Sequence, residues 1–400
     1  MRTLFAITLF ELLLGGGGHV TAAGPLTLRM ALFAGCIAAT LISLLFPRRR
    51  ADGVLLAMAL VLAYLIIHVG GLLVGAINGS DAVEMFTAFQ QSLFWLAAPF
   101  FALMIQTEKD VDSCARIVQI AGATLACVYL TILLALLTGV VHLSVLRPLI
   151  EKSGDVVFRS GEFFIYKGFL YLGVAIVFFV GIRGKYWAPL ALVTALALVA
   201  TLTRGFVLST SLSLLLMLVV QRRWRTVIPA LLLAAAAAFF VWEYLPSLDT
   251  NQSERQVTST DQRVQDMTYL ADHATIKTLI IGEGYGAQIN GRRMIENTFL
   301  WVLWSFGIVG LLFWTLPLAL CVYYFSKVPD AYLHPTASAY LFGTVLVYLQ
   351  TATNPYLNNP IGLSYVLLAL FSLRVLSRVG SKNSIVGGAV PHGTPTVISP

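Results

Sequence analysis

The chain has 400 residues, 58% of them hydrophobic and only 11% charged, with a formal net charge of +7 and a mean hydropathy of +0.83. Soluble proteins carry about 25% charged residues, so one large water-soluble core is excluded. Apolar stretches near 20 residues recur along the chain, each able to cross a hydrocarbon layer of about 30 Å, whereas a β-barrel would show shorter alternating segments. The sequence predicts an all-α, polytopic transmembrane helical bundle.

In chain order, Arg2 and the apolar run behind it look like a signal peptide, and GGGGHVTAAG could pass for its cleavage region. We read the run as an uncleaved first span, although Glu11 lies inside it. Hydropathy and breaker residues place about twelve spans, at 3–20, 26–46, 54–76, 84–105, 115–140, 163–182, 186–203, 205–221, 226–245, 297–325, 336–353 and 361–377. Basic clusters fix their direction. Arg48–Arg50, Arg183 with Lys185, Arg222, Arg223 with Arg225, and Arg374, Arg378 with Lys382 all fall on one side of a twelve-span chain. The positive-inside rule makes that side cytoplasmic. Both termini of this multi-pass chain are then expected in the cytoplasm. Residues 1–380 form one transmembrane domain, and the Gly/Pro/Ser/Thr-rich tail 381–400 reads as disordered.

The same rule makes the other side anomalous. Arg147, Lys152, Arg159, Lys167, Arg204, Arg255, Arg263, Lys277, Arg292 and Arg293 oppose the insertion bias, and an anionic ligand bound from outside would account for them. Between Tyr186 and Gln221 only 36 residues make two crossings, at about 1.5 Å per residue, so TLTRGF turns at or below the outer surface. Arg204 is its apex, and an ionisable group at such depth usually faces a wet or protein-lined cavity.

The outer loop, about 246–295 between the ninth and tenth spans, is the longest polar segment. PSLDTNQSERQVTST reads as helix-poor, and DQRVQDMTYLADHATIKTL as an amphipathic surface helix carrying Val264, Met267, Leu270 and Ile276. Arg263 would open its first turn, the wrong end of a helix for a cation, which calls for an acidic neighbour or a bound anion. In IIGEGYGAQING the glycines permit close backbone approach; GEGYG does not have the context of a nucleotide site. Arg292, Arg293 and Glu296 could share a face if that stretch is helical. Glu296 is a candidate general base, with a surface salt bridge as the plainer alternative. Phe299, Trp301, Trp304 and Phe306 read as an interfacial aromatic belt. FRSGEFFIYKGF brings Arg159, Glu162 and Lys167 to the same face, and TNPYLNNP, with Asn354, Tyr356, Asn358 and Asn359, reads as turn chemistry. The four cysteines fall in or beside spans and the six histidines are scattered, so neither a disulfide framework nor a metal site is indicated.

TLTRG, the long outer loop with Arg263, IGEGYG, ENTFLWVLWSFGIVGLL and the short NP-containing turn follow one another over about residues 155 to 365. In that order they resemble the O-antigen ligase and polymerase-like superfamily of bacterial envelope glycosyltransferases. The resemblance implies an undecaprenyl diphosphate-linked oligosaccharide donor at the periplasmic face, a glycan or lipid A-core acceptor and contact with membrane lipids. It also implies a chain-length regulator as partner protein, no nucleic acid and no cofactor. It makes Arg204 and Arg263 binders of the diphosphate, with Arg159 a weaker third; Lys167, Arg292, Arg293, Asn297 and Tyr356 are further candidate substrate contacts expected at the same face. Glu296 stands where ligases of this group have a histidine, which tilts the expectation toward a repeat-unit polymerase. Transfer of finished polymer to lipid A-core is the nearest alternative. A flippase for lipid-linked sugars also fits the spans, but no repeated halves of the transporter kind are found.

Overall fold

The computed structural model describes residues 1–16, 22–23, 26–45, 53–145, 147, 156–158, 163–223, 250–292 and 295–386. Within them the apolar stretches are helices, because in lipid every amide has to be bonded inside its own segment. The first half of the chain gives α1 (Arg2–Leu14), α2 (Leu28–Leu45), α3 (Val54–Ile77), α4 (Ala82–Ser92), α5 (Ala98–Met104) and α6 (Glu108–Leu137). It is followed by α7 (Leu170–Ile182), α8 (Trp187–Ala200) and α9 (Arg204–Val220). The loop supplies α10 (Thr250–His273) and α11 (Ile276–Ile281), and the chain closes with α12 (Thr298–Ser326), α13 (Pro335–Thr351) and α14 (Pro360–Val386). Two small antiparallel hairpins pair Ala22–Ala23 with Leu26–Thr27 and Val156–Phe158 with Phe164–Tyr166.

Among the described residues, six helical stretches are long and apolar enough to cross a membrane, and three shorter apolar ones accompany them. Helices stand at every expected span except the ninth, 226–245, which lies outside the described residues. Polar caps start several of them. Asp81 accepts from Val83 N and Glu84 N, and Thr107 forms a capping box with Asp110. The fourth span is not one helix: a 3-10 turn over Leu93–Ala97 separates α4 from α5, which begins with Pro99 in its first turn.

α7 is buried almost all round, enclosed by α6, α8, α9 and α13, while α3 exposes Leu55, Leu62, Ile66 and Ile77, as a lipid-facing helix does. Small residues set the closest approaches; Gly122 of α6 leaves no room for a Cβ against Ala175 of α7. Between α1 and α2 lies a buried ion pair. Arg29 Nε reaches both oxygens of Glu11 at 3.2 and 3.1 Å and its NH2 reaches Oε1 at 3.0 Å, with side-chain exposures of 9% and 6%. Tyr166 ties the same region down by donating to Leu14 O at 2.5 Å.

Cross-links between helix ends define two ends of the bundle. Ser209 Oγ donates to Gln350 Oε1 at 2.8 Å, joining the start of α9 to the end of α13. Phe299 stacks on Tyr348 at 6.4 Å, bringing in the start of α12, and Tyr171 donates to Ile361 O, bringing in the starts of α7 and α14. This is the loop end. The other end holds Arg183, whose guanidinium lies over Trp187, and Arg223, whose pKa is lowered by burial and by the charge of Arg183.

Three further expectations need correction. The loop helix begins at Thr250, so TNQSERQVTST is helical; it contains neither Pro nor Gly to stop a helix. The tenth span is interrupted: Gly307 has φ 62 and ψ −160 and divides α12 into two helices. The stretch from Ser381 continues α14 as far as Val386, just before Gly387 and Gly388; residues 387–400, the rest of the tail expected to be disordered, lie outside the described residues.

Candidate functional site at the loop end

Arg263 and Glu296 meet. Nε and NH2 of Arg263 lie 3.0 and 2.5 Å from Glu296 Oε2, with both side chains partly exposed at 39% and 48%. Arg263 is in the middle of α10, not its first turn, so the helix dipole does not act on it there; the acidic neighbour it needs is Glu296. Asn297 follows as the cap of α12, its side-chain oxygen accepting from Phe299 N and Leu300 N at 3.0 and 3.2 Å. The carboxylate thus stands at the mouth of a helix whose first amides its neighbour already satisfies.

Arg292 goes elsewhere. It pairs with Asp266, whose side chain is only 4% exposed, and donates to Gln262 O at 3.3 Å. The expected helical face of Arg292 and Glu296 does not form. Asn290 (φ 50) and Gly291 (φ 72) make a tight turn, bridged between Ile289 and Arg292, which is the geometry that an Asn-Gly pair favours. Arg293 and Arg159 lie outside the described residues.

Arg204 begins α9, half-buried, after a three-residue link from α8 in which Leu202 has φ 52. Its neighbour Gly205 faces Gln350 and Thr353. Through Ser209, Gln350, Tyr348 and Phe299 this corner connects to the mouth of α12, so Arg204 shares the loop end with Arg263 and Glu296. Lys167 is exposed there. Tyr356 is 6% exposed, its hydroxyl donating to Lys167 O at 3.4 Å and its ring 6.2 Å from Phe206. It packs the corner, and burial raises its pKa. Asn358 Oδ1 accepts from Trp314 Nε1 at 2.9 Å and Asn359 Oδ1 from Ile361 N at 2.8 Å, as turn residues do.

The glycine loop does more than bridge. Where Gly307 interrupts α12, carbonyls before it lose their helical partners, and the loop provides replacements: Glu283 N donates to Trp304 O at 2.8 Å and Gly284 N to Ser305 O at 3.0 Å. Tyr285 N donates to Gly71 O of α3 at 3.0 Å. Gly282, Gly284 and Gly286 all have positive φ, and a Cβ at Gly284 would strike the backbone of Gly75. Asn78, at the end of α3, donates 3.0 Å bonds to Glu283 O and Oε2. Three of the four aromatics expected as a belt are therefore interior: Trp301, Trp304 and Phe306 are 9%, 6% and 3% exposed, while Phe299 is half-buried. Beside Trp304 a cavity of roughly 200 Å³ is lined by Leu270, Ala271, Ala274, Thr278, Leu279 and Leu303. Of the amphipathic face, Leu270 is buried while Val264, Met267 and Ile276 are exposed.

Sequence reasoning missed Asp266 as the partner of Arg292 and missed the break at Gly307. The Asn-Gly pair was a legible signal for the first; a glycine inside an apolar run gave none for the second. Among the described residues no group of three His, Cys, Asp or Glu side chains could hold a metal ion.

Fold and loop-end geometry together define a polytopic helical membrane protein with an Arg–carboxylate centre at one end. No protein-family description matches the chain. It is similar to the O-antigen polymerase of Shigella flexneri, 25% identical over 327 residues that cover 80% of this chain and 81% of that protein. The chain is thus O-antigen polymerase-like over most of its length.

Proposed function

We propose that the chain is a metal-independent, inverting membrane glycosyltransferase that polymerises undecaprenyl diphosphate-linked repeat units at the loop end, facing the periplasm. The observation that carries the reading is the contact of Arg263 with Glu296 at the mouth of α12, on the same end as Arg204. The likeness to an O-antigen polymerase supplies the reaction class.

In this mechanism Glu296 takes the proton of an acceptor sugar hydroxyl. The oxygen bonds to the anomeric carbon of the donor's first sugar, and the bond from that carbon to the diphosphate breaks with inversion. Undecaprenyl diphosphate leaves with the electron pair, its charge met by Arg204 and Arg263. An ion pair this exposed is worth at most about 1 kcal/mol. A diphosphate offers the guanidinium more charge and more acceptor oxygens than one carboxylate does. Donor binding therefore draws Arg263 toward phosphate and turns the Glu296 carboxylate over to the acceptor hydroxyl.

Purified protein incubated with a lipid-linked repeat unit should give a ladder on a gel. A single shift of lipid A-core would instead indicate a ligase, and absence of any covalent product a transporter. Glu296→Gln should lower turnover by about 10²- to 10⁴-fold, the range of general-base catalysis, with the protein still folded. Wild-type turnover in that variant would remove Glu296 from the mechanism.

A further inference from the structure

One buried polar cluster plays no part in that mechanism. His68, in the middle of α3, is 0% exposed. Its ring lies 4.1 Å from that of Tyr64, 5.1 Å from Phe306 and Trp314, and 5.5 Å from Tyr285. Nδ1 meets the Tyr285 hydroxyl and lies 3.3 Å from Ser92 Oγ. Ser92 Oγ donates to Phe89 O at 2.8 Å and stands 3.2 Å from the Tyr64 hydroxyl. Ser92 Oγ also stands 3.1 Å from the Tyr285 hydroxyl, so Nδ1, Ser92 and Tyr285 form one closed set of contacts in which the tautomer of His68 sets who donates. Nε2 has no hydrogen-bond partner among the described residues and is enclosed by aromatic rings.

We propose that His68 is a positioning residue for the transfer reaction, acting through Tyr285 as a latch on the glycine loop. The inference rests on the reading of Glu296 above and extends it. Residues 283 and 284 cap the carbonyls freed by the break at Gly307, so the half of α12 from Thr298 to Phe306 takes its orientation from the loop. Glu296 and Asn297 stand at the mouth of that half-helix. The loop in turn is held to α3 by Asn78 on Glu283 and by Tyr285, through its amide on Gly71 and its hydroxyl on His68. Removing the hydroxyl bond leaves the loop tied only at Asn78 and at the Tyr285 amide, so it loosens over the Gly71–Gly75 face of α3, and Glu296 shifts with the half-helix.

The test compares turnover, donor KM and amide hydrogen exchange in full-length protein reconstituted in nanodiscs. Tyr285→Phe and His68→Leu should lower kcat by about ten- to a hundredfold, the cost of a misplaced reacting group, with KM unchanged. Exchange should speed up at 282–286 and 304–307 and nowhere else. His68→Asn, whose side-chain oxygen falls near the Nδ1 position, should restore both; His68→Gln, which mimics Nε2, should not. Unchanged exchange in Tyr285→Phe, a rise in KM in place of the fall in kcat, or equal rescue by Gln and Asn overturns the latch. If Glu296→Gln stays active while the latch variants lose turnover, the base assignment fails and the latch stands. If wild-type protein forms no glycan product, the proposed function fails, and the exchange pattern of the four variants decides the latch.

Discussion

At the level of single side chains, two arginines on neighbouring segments of the loop have opposite energetic roles. Arg263 and Glu296 are both more than a third exposed, and solvent screens such a pair. Arg292 faces an Asp266 carboxylate that is almost wholly buried. Removing the partner of a buried charge leaves it uncompensated, at a cost of several kcal/mol where burial is complete. Arg263→Ala should thus leave the thermal midpoint within about a degree of wild type, since it removes about 1 kcal/mol or less, while raising donor KM. Arg292→Ala should lower the midpoint by several degrees, the effect of about 2 kcal/mol or less on a chain of this size. Scanning fluorimetry and donor titration on the same two samples separate these roles; a large midpoint loss in Arg263→Ala would mean that this pair is structural.

Among the elements, α3, the glycine loop and broken α12 form one unit, and two glycines of α3 report on it. A Cβ at Gly70 meets nothing within 4 Å, whereas one at Gly75 strikes the carbonyl of Tyr285. Gly70→Ala should be neutral or stabilising by up to about 1 kcal/mol, the helix propensity difference. Gly75→Ala should displace the loop and cost about 1–3 kcal/mol, as overpacking does. A urea or thermal series on the two variants checks the sign, and equal effects would show that the loop does not seat on α3. This unit also marks where the sequence stopped being legible. Spans could be placed because hydropathy reports lipid contact directly, and GEGYG announced close backbone approach. The break at Gly307 could not be read, because the partners that make it tolerable lie more than twenty residues away at Glu283 and Gly284. Arg204, Arg263 and Glu296 were legible as charges out of place, yet only folding shows which cation a carboxylate faces: Glu296 took Arg263, and the nearer Arg292 turned away at Asn290–Gly291.

For the molecule as a whole, Asn290 and Arg222 stand exposed at opposite ends. With Cys127, the exposed native cysteine among those described, replaced by Ser, a membrane-impermeant thiol reagent applied to intact cells should label Asn290→Cys. It should spare Arg222→Cys until the membrane is opened. Labelling of Arg222→Cys from outside would invert the proposed orientation and move the Arg–carboxylate centre to the cytoplasm.

The Glu11–Arg29 pair bears on how such a chain is assembled. An arginine entering hydrocarbon alone is costly, and here the cancelling charge belongs to the helix synthesised before it. By the time α2 leaves the ribosome, α1 is available in the bilayer to receive it. Order of synthesis would thereby favour seating the second helix, whose first turn carries Arg29, against the first.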